Sequence, residues 1–126
     1  MNKIAIIGTG YVGLVTGLGF AKLGHRVHFV DIDKEKIIKL QNQDLPFFEP
    51  GLAEILNDEE VSSRVTYSSS YTEELMDVDI IFICVQTPEE DKGVPNTSFL
   101  FDALRSVLGS TQDNTIICIK STSPPE

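Results

Sequence analysis

The sequence predicts one α/β domain in which an open, doubly wound parallel sheet carries helices on both faces. Short apolar runs alternate with segments of helical periodicity along the 126 residues. The run VDIIFICV at 78–85 is almost wholly apolar, which is typical of a strand covered on both faces of a parallel sheet. A glycine-rich turn joins the first apolar run to the first helical segment, as in a strand–turn–helix unit.

In the first part of the chain, runs rich in β-branched and aromatic residues predict two strands, Lys3–Ile7 and Arg26–Asp31. Between them, segment 11–23 has helical spacing and is followed by Gly24, a common residue at helix ends. The expected buried face of this helix consists of Val12, Val15, Leu18 and Ala21.

A second helix is predicted directly after Asp33, because an aspartate side chain is a good N-cap. A loop with Pro46 and Pro50 follows, and then a short helix over Leu52–Leu56. The apolar side of the second helix is expected to carry Ile37, Ile38 and Leu40.

The rest of the chain repeats the alternation of strand and helix. In chain order the predicted elements are a weak strand Arg64–Tyr67, a short helix Thr72–Met76, a strand Val78–Val85, a loop Gln86–Asn96, a helix Ser98–Leu108 and a strand Thr115–Lys120.

The composition excludes several classes of function. Lys and Arg number 10 against 19 Asp and Glu, so the formal charge is -9 and the basic face that binds nucleic acid or anionic membranes is not expected. A phosphate-bearing ligand held by backbone N–H groups remains compatible with this charge. Glycines interrupt the apolar segment 4–20, no signal-peptide cleavage site follows, and no run reaches the roughly 20 residues of a membrane span. We therefore expect a cytoplasmic protein.

Cys84 and Cys118 lie inside strongly apolar runs and are predicted to be reduced, buried core residues. Two cysteines cannot form a disulfide framework, and their spacing fits no zinc motif. No metal site is predicted, and reduced cysteines favour the cytoplasm.

The last predicted strand is followed only by the polar, proline-containing segment 121–126. We expect residues 1–126 to form one domain of a longer protein. The alternative is a small natural domain with a frayed polar tail.

Gly8, Gly10 and Gly13 form a G-x-G-x-x-G motif between a predicted strand and a predicted helix. In a dinucleotide-binding unit, the first glycine permits the tight turn and the second lets the backbone approach a pyrophosphate. The third allows the helix to pack closely on the strand, and the helix N-terminus faces the phosphates. Glycines that serve only close packing are the alternative.

Asp31 comes 18 residues after Gly13, at the end of the second strand. A carboxylate there can accept hydrogen bonds from the ribose 2′- and 3′-hydroxyls, and it would repel a 2′-phosphate. The cofactor is therefore predicted to be NAD rather than NADP, although Lys34 and Lys36 could accommodate a phosphate. Asp33 is interpreted as a helix cap.

Further motifs identify a family. The stretch GTGYVGL at 8–14 with Asp31, Pro46 and EPGL at 49–52, Thr87-Pro88, and KST at 120–122 occur in this order. Together they resemble the UDP-glucose/GDP-mannose dehydrogenase family, most closely its UDP-glucose 6-dehydrogenase branch. The resemblance covers the whole chain, and only as the N-terminal NAD-binding Rossmann domain. EPGL also has a simpler interpretation as a helix N-terminus with an acid and a proline.

The resemblance implies roles for individual residues. Asp31 and Lys36 would hold the adenosine ribose, and Thr122 would lie near the nicotinamide and position water in the hydrolytic step. A strand-end threonine that bonds locally is the alternative for Thr122. Glu89 stands where family members usually have a hydroxyl residue. The implied cofactor-binding residues are Gly8, Gly10, Tyr11, Val12, Gly13, Asp31, Lys36, Thr87, Pro88 and Thr122.

The family oxidises a primary alcohol of a sugar nucleotide to a carboxylate in two hydride transfers to NAD, by way of a cysteine thioester. Family members supply that cysteine and a catalytic lysine from beyond this domain. Neither Cys84 nor Cys118 matches the cysteine motif, so the chain alone is expected to be inactive. The implied partners are NAD and UDP-glucose, and a homodimer is implied only for the full-length enzyme.

Three alternatives stay open at the level of sequence. The chain could belong to a UDP-N-acetyl-sugar or GDP-mannose dehydrogenase, because the residues that select the sugar lie elsewhere. It could be a stand-alone module that senses NAD(H). A 6-phosphogluconate or 3-hydroxyacyl-CoA type dehydrogenase is a third possibility, against which the GYVG, EPGL and KST motifs argue.

Overall fold

The computed structural model describes residues 2–45, 50–70, 77–84, 105 and 115–119. Within these ranges, five parallel strands form one sheet in the order β3-β2-β1-β4-β5. The strands are β1 (Lys3–Ile7), β2 (Arg26–Val30), β3 (Val65–Ser68), β4 (Ile80–Ile83) and β5 (Ile116–Ile119), and the helices are α1 (Tyr11–Lys22), α2 (Lys34–Gln41), α3 (Leu52–Leu56) and α4 (Glu59–Ser62). The predicted fold class, an open doubly wound parallel sheet of the Rossmann type, is confirmed.

The strand order places the functional edge of the sheet. β1 lies at the centre, and the chain leaves it first toward β2 and later returns to its other side as β4. Ile7, the last residue of β1, pairs with Val30 on one side and Ile83 on the other. The carboxyl ends of the three strands are therefore level, and the crevice where such sheets bind ligands opens there.

Strand β1 shows why both faces of the sheet are apolar. Ile4 and Ile6 pack into the core cluster under α1, whereas Ala5 and Ile7 pack into a second cluster on the opposite face. All four side chains are at most 2% exposed. A strand covered on both faces reads as a continuous apolar run because side chains alternate between the two faces.

Helix α1 packs on the sheet through Leu14, Leu18 and Ala21, which are fully buried. The predicted burial of Val15 is wrong, because 39% of this residue is exposed. Gly13 and Gly17 lie on the side of the helix that faces the sheet. Together with Leu14, Leu18 and Ala21 they form the buried stripe, whose members recur about one turn apart. The absence of side chains at Gly13 and Gly17, more than the positions of the large apolar residues, thus decides which face of α1 approaches the sheet.

Helix α2 begins after Asp33, whose carboxylate accepts hydrogen bonds from the Glu35 N–H at 3.0 Å and the Lys36 N–H at 3.3 Å. The predicted cap is confirmed. Ile37 and Leu40 are buried as expected, but Ile38 is 56% exposed and that expectation is wrong. Residues three apart share one face of a helix, whereas Ile38 is turned by about 100° from Ile37.

Helix α3 has the predicted bounds, and α4 was not expected from the sequence. Gly51 precedes α3 with a φ of 85°, so the Pro50-Gly51 pair forms the turn that opens this helix. Asp58 caps α4 by accepting from the Glu60 N–H at 2.8 Å. Four residues are too short for a periodic pattern, and only the aspartate followed by acids indicates this helix.

The strands differ from prediction by a few residues. β3 begins and ends one residue later than expected, and β4 is shorter than the apolar run that contains it. The ring of Tyr67 in β3 stacks on Phe29 in β2 with centroids 5.5 Å apart. Burial raises the pKa of Tyr67 to about 12.

Neither Cys84 nor Cys118 forms a disulfide bond. Cys84 is 5% exposed and belongs to the main core cluster, as predicted. Cys118 is only partly buried, so the prediction that both are core residues is wrong for it. It lies in β5, the outer strand of the described sheet, where a neighbouring strand is present on one side alone.

Several predicted elements lie outside the described residues. They are the loop at Pro46, the helix 72–76, the loop 86–96, and the helix 98–108 apart from Arg105, which is helical. None of the described helices combines the length and apolar character needed to traverse a bilayer.

Candidate functional site

The candidate site begins at the turn that follows β1. Gly8 has a φ of 103°, a conformation that side-chain-bearing residues rarely adopt. Its N–H donates to the Val30 carbonyl at 2.7 Å. This hydrogen bond extends the pairing of β1 with β2 by one residue beyond Ile7. The turn therefore lies at the carboxyl edge of the sheet, between the ends of β1 and β2.

Helix α1 begins after Gly10 with its N-terminus open. No side chain caps it, and its first turn contains no acidic residue. By contrast, Asp33 caps α2 and Asp58 caps α4. The first turn of α1 therefore contributes no carboxylate of its own, which is an arrangement that favours an anionic ligand.

Gly13 allows α1 to start this close to the strand. A Cβ atom at this position would overlap the Gly8 carbonyl oxygen and would lie 3.3 Å from Cγ2 of Ile6. The predicted role of the third glycine of the motif, close packing of helix on strand, agrees with this geometry. We call the turn with Gly8, Gly10 and Gly13 the glycine cradle; within it, Gly13 approaches the backbone of Gly8 directly.

Asp31 lies directly after β2 and is bonded to the same turn. Its Oδ2 accepts from the Thr9 N–H at 2.8 Å and from the Thr9 hydroxyl at 2.6 Å. Its Oδ1 accepts from the Asp33 N–H at 2.9 Å. The structure thus brings Asp31, predicted from spacing alone, into contact with the glycine-rich turn.

Thr9 is the residue that sequence reasoning missed. It is fully buried, and both its N–H and its hydroxyl serve Asp31. The available signal was a hydroxyl residue between the first two glycines of the motif, a position at which the motif itself prescribes no side chain.

Gly17, one turn further along α1, is a second missed residue. A Cβ there would overlap the ring of Phe29 and lie 2.9 Å from Cγ1 of Ile6. Gly17 therefore lets α1 stay close to the sheet for one more turn after Gly13. A glycine outside the motif, inside a helix rich in glycine, carries no distinctive sequence signal.

The remaining predicted residues are placed as follows. Lys36 is half-buried in the first turn of α2, and no ion pair joins its ammonium to Asp31 in the described part of the chain. Lys34 is exposed. Tyr11 is 52% exposed at the start of α1, and Val12 is partly buried against the core. The predicted residues Thr87, Pro88 and Thr122, like Glu89 and Glu49, lie outside the described residues.

This arrangement can hold a ligand with two kinds of group. The open α1 N-terminus and the glycine cradle suit a phosphate or pyrophosphate. The Asp31 carboxylate, at the end of the neighbouring strand, suits a hydroxyl donor. A dinucleotide carries both kinds of group.

Comparison with known proteins agrees with the family that the sequence motifs indicate. Residues 2–126 match the family model described as "UDP-glucose/GDP-mannose dehydrogenase family, NAD binding domain". The UDP-glucose 6-dehydrogenase YwqF of Bacillus subtilis is 40% identical over 122 residues, which are 97% of this chain and 28% of that protein.

Two solved structures are similar along nearly the whole chain. A UDP-glucose dehydrogenase from Pyrobaculum islandicum has a TM-score of 0.89 and 33% identity, covering 99% of this chain and 30% of that one. A GDP-mannose dehydrogenase from Pseudomonas aeruginosa has a TM-score of 0.87 and 28% identity, and the match covers 97% of this chain and 29% of that one. The chain therefore spans less than a third of the length of the proteins it matches.

Proposed function

The chain belongs to the UDP-glucose/GDP-mannose dehydrogenase family, as its NAD-binding domain, and from this premise we propose that it serves an enzyme that oxidises UDP-glucose. The observation that carries the cofactor part of the proposal is the contact of Asp31 with the glycine-rich turn. This contact places the Asp31 carboxylate, which can accept from a hydroxyl group, beside the glycine-rich turn proposed to hold the phosphates.

The described residues fit the two ends of the adenosine diphosphate half of NAD. The backbone around Gly8, Gly10 and Gly13, with the open N-terminus of α1, would hold the pyrophosphate. Asp31 would accept from the adenosine ribose. Bound NAD supplies an acceptor for a hydride, and the residues of this domain bind and orient it.

Selectivity for NAD over NADP follows from charge. A 2′-phosphate would enter beside the Asp31 carboxylate, and the Asp33 carboxylate follows two residues later. Lys36 forms no ion pair with Asp31, so the negative charge of Asp31 is not neutralised by that side chain. Repulsion between a carboxylate and a phosphate in this position disfavours NADP.

The substrate part of the proposal rests on relatives. The curated relatives from Bacillus subtilis and Rickettsia conorii, 40% and 41% identical, are both named as UDP-glucose 6-dehydrogenases. Identity to solved structures does not separate the sugars, because it is 33% for the Pyrobaculum islandicum UDP-glucose enzyme and 35% for a Staphylococcus aureus UDP-N-acetyl-mannosamine dehydrogenase. In the complete enzyme, Thr87 and Pro88 would line the cofactor and Thr122 would lie near the nicotinamide. A UDP-N-acetyl sugar or GDP-mannose is the alternative substrate.

Calorimetric titration of the chain with NAD and with NADP tests the cofactor part. We expect NAD to bind more tightly than NADP, and Asp31→Ala to weaken NAD binding by about tenfold or more, since a hydrogen bond to a charged group is lost. Asp58→Ala is the matched control, because it removes an equivalent carboxylate at the α4 N-terminus. Failure of NAD to bind at millimolar concentration contradicts the proposal, and tight binding that distinguishes NADH from NAD favours a sensing module.

Incubation of the chain with UDP-glucose and NAD tests the expected inactivity. Covalent catalysis of the second oxidation needs an accessible thiolate. Cys84 is buried in the core, and Cys118 lies on the outer strand β5 rather than at the glycine-rich turn. We therefore expect no formation of NADH, and steady turnover by the 126-residue chain would contradict this.

A further inference from the structure

Hydrogen bonds within the chain already use most of the acceptor positions of the Asp31 carboxylate. A carboxylate offers about four lone-pair positions, two on each oxygen. Oδ2 receives both the Thr9 N–H and the Thr9 hydroxyl, and Oδ1 receives the Asp33 N–H. Within the described part of the chain, this leaves about one open position, on Oδ1.

We propose that Thr9 is a positioning residue that holds Oδ2 of Asp31, so that Asp31 accepts directly from one adenosine-ribose hydroxyl, through Oδ1, and not from both. This rests on the proposed binding of NAD. It replaces the expectation of a carboxylate that binds the 2′- and 3′-hydroxyls as a pair.

The geometry of Thr9 suits this role better than general packing does. The hydroxyl–carboxylate bond is 2.6 Å, in the range of charge-assisted bonds. Thr9 is fully buried, so water does not compete for its hydroxyl. The Asp33 N–H donates to the other oxygen, Oδ1, at 2.9 Å, so both oxygens of the carboxylate are held by hydrogen bonds.

The test compares NAD with two analogues that lack either the 2′- or the 3′-hydroxyl of the adenosine ribose. For the unmodified chain we expect unequal losses of affinity, about tenfold or more for one analogue and clearly smaller for the other. In Thr9→Val, Oδ2 regains an open position, so the two losses should become similar. NAD itself should bind about 2- to 10-fold more weakly to Thr9→Val, because the carboxylate is less well oriented.

Two further variants separate positioning from packing. Thr9→Ser keeps the hydroxyl and should restore the unequal losses. Thr66→Val makes the same replacement at a hydroxyl that bonds the His28 ring at 2.6 Å, away from Asp31, and should leave the inequality unchanged. Equal losses in the unmodified chain, or an inequality that persists in Thr9→Val, would overturn the proposal.

A measurement without ligand distinguishes this inference from the proposed function. Thr9→Val should lower the midpoint of urea unfolding in the native background and have a smaller effect in the Asp31→Ala background, because the two residues are coupled. Additive midpoint shifts would refute the contact even if NAD binds. Coupled shifts with no binding of NAD would leave Thr9 holding Asp31 and refute the cofactor part of the proposed function.

Discussion

The backbone of Gly8 lies so close to Gly13 that a Cβ atom at residue 13 would overlap the Gly8 carbonyl oxygen. The strand end and the helix start are thus in direct backbone contact. Gly8 has a φ of 103°, a conformation that glycine adopts readily because it lacks a Cβ atom. This contact sets the position of the α1 N-terminus above the edge of the sheet.

Gly13→Ala should destabilise the chain by about 1–3 kcal/mol, because the added methyl meets backbone that cannot be repacked. Gly19→Ala is the matched control in the same helix. A Cβ at Gly19 meets nothing within 4 Å, so this change should stabilise the chain by about 0.5–1 kcal/mol through helix propensity. Urea unfolding followed by circular dichroism measures both. Equal effects of the two substitutions would show that the contact with Gly8 does not matter.

Gly17→Ala should also destabilise the chain by about 1–3 kcal/mol, since the methyl overlaps the Phe29 ring. Here the obstacle is a side chain, so its removal should relieve the clash. In the Phe29→Leu background we expect Gly17→Ala to have a clearly smaller effect. A double-mutant cycle of urea unfolding measures the coupling, and strictly additive energies would contradict the expected contact.

Asp33→Ala should lower the free energy of unfolding by about 1 kcal/mol, because α2 loses the acceptor for two of its first N–H groups. Asp33→Ser keeps an oxygen at the N-cap and should lose much less. The N–H of residue 33 still donates to Asp31 in both variants, since that bond uses the backbone. If alanine and serine destabilise the chain equally, the carboxylate of Asp33 does not act as a cap.

Stability should fall between pH 10 and pH 12 because of Tyr67. Its pKa is raised to about 12 by burial, against about 10 in an unfolded chain. Below pH 10 the residue is neutral in both states. Above pH 10 the unfolded state loses the proton first, so unfolding becomes more favourable until the pH passes the folded pKa. The accumulated loss is about 2–3 kcal/mol.

Tyr67→Phe provides the control for that pH dependence. The variant keeps the ring that stacks on Phe29 and lacks the ionisable hydroxyl. The difference in unfolding free energy between the two proteins, measured by urea titration at several pH values, isolates Tyr67 from lysines and other tyrosines. A difference that stays constant from pH 9 to pH 12 would refute the prediction.

Much of the fold was predictable because its signals are local. Asp33 stands before a periodic segment and caps α2 as expected, and the apolar run around β4 predicted a strand covered on both faces. Helix α4 was missed because a four-residue helix has no period to detect, and only its Asp58 cap marks it. The errors at Val15 and Ile38 arose because periodicity alone defines a helix stripe only to within about one residue.

The sequence by itself determined the alternation of strands and helices, the glycine motif, the acid 18 residues further on, and the family. These depend on residue type and spacing along the chain. Only the tertiary structure decided which face of α1 is buried and how Asp31 is held. Both depend on atoms far apart in sequence: Gly17 meets Phe29, and Thr9 meets Asp31, once β1 and β2 pair and bring their carboxyl ends side by side.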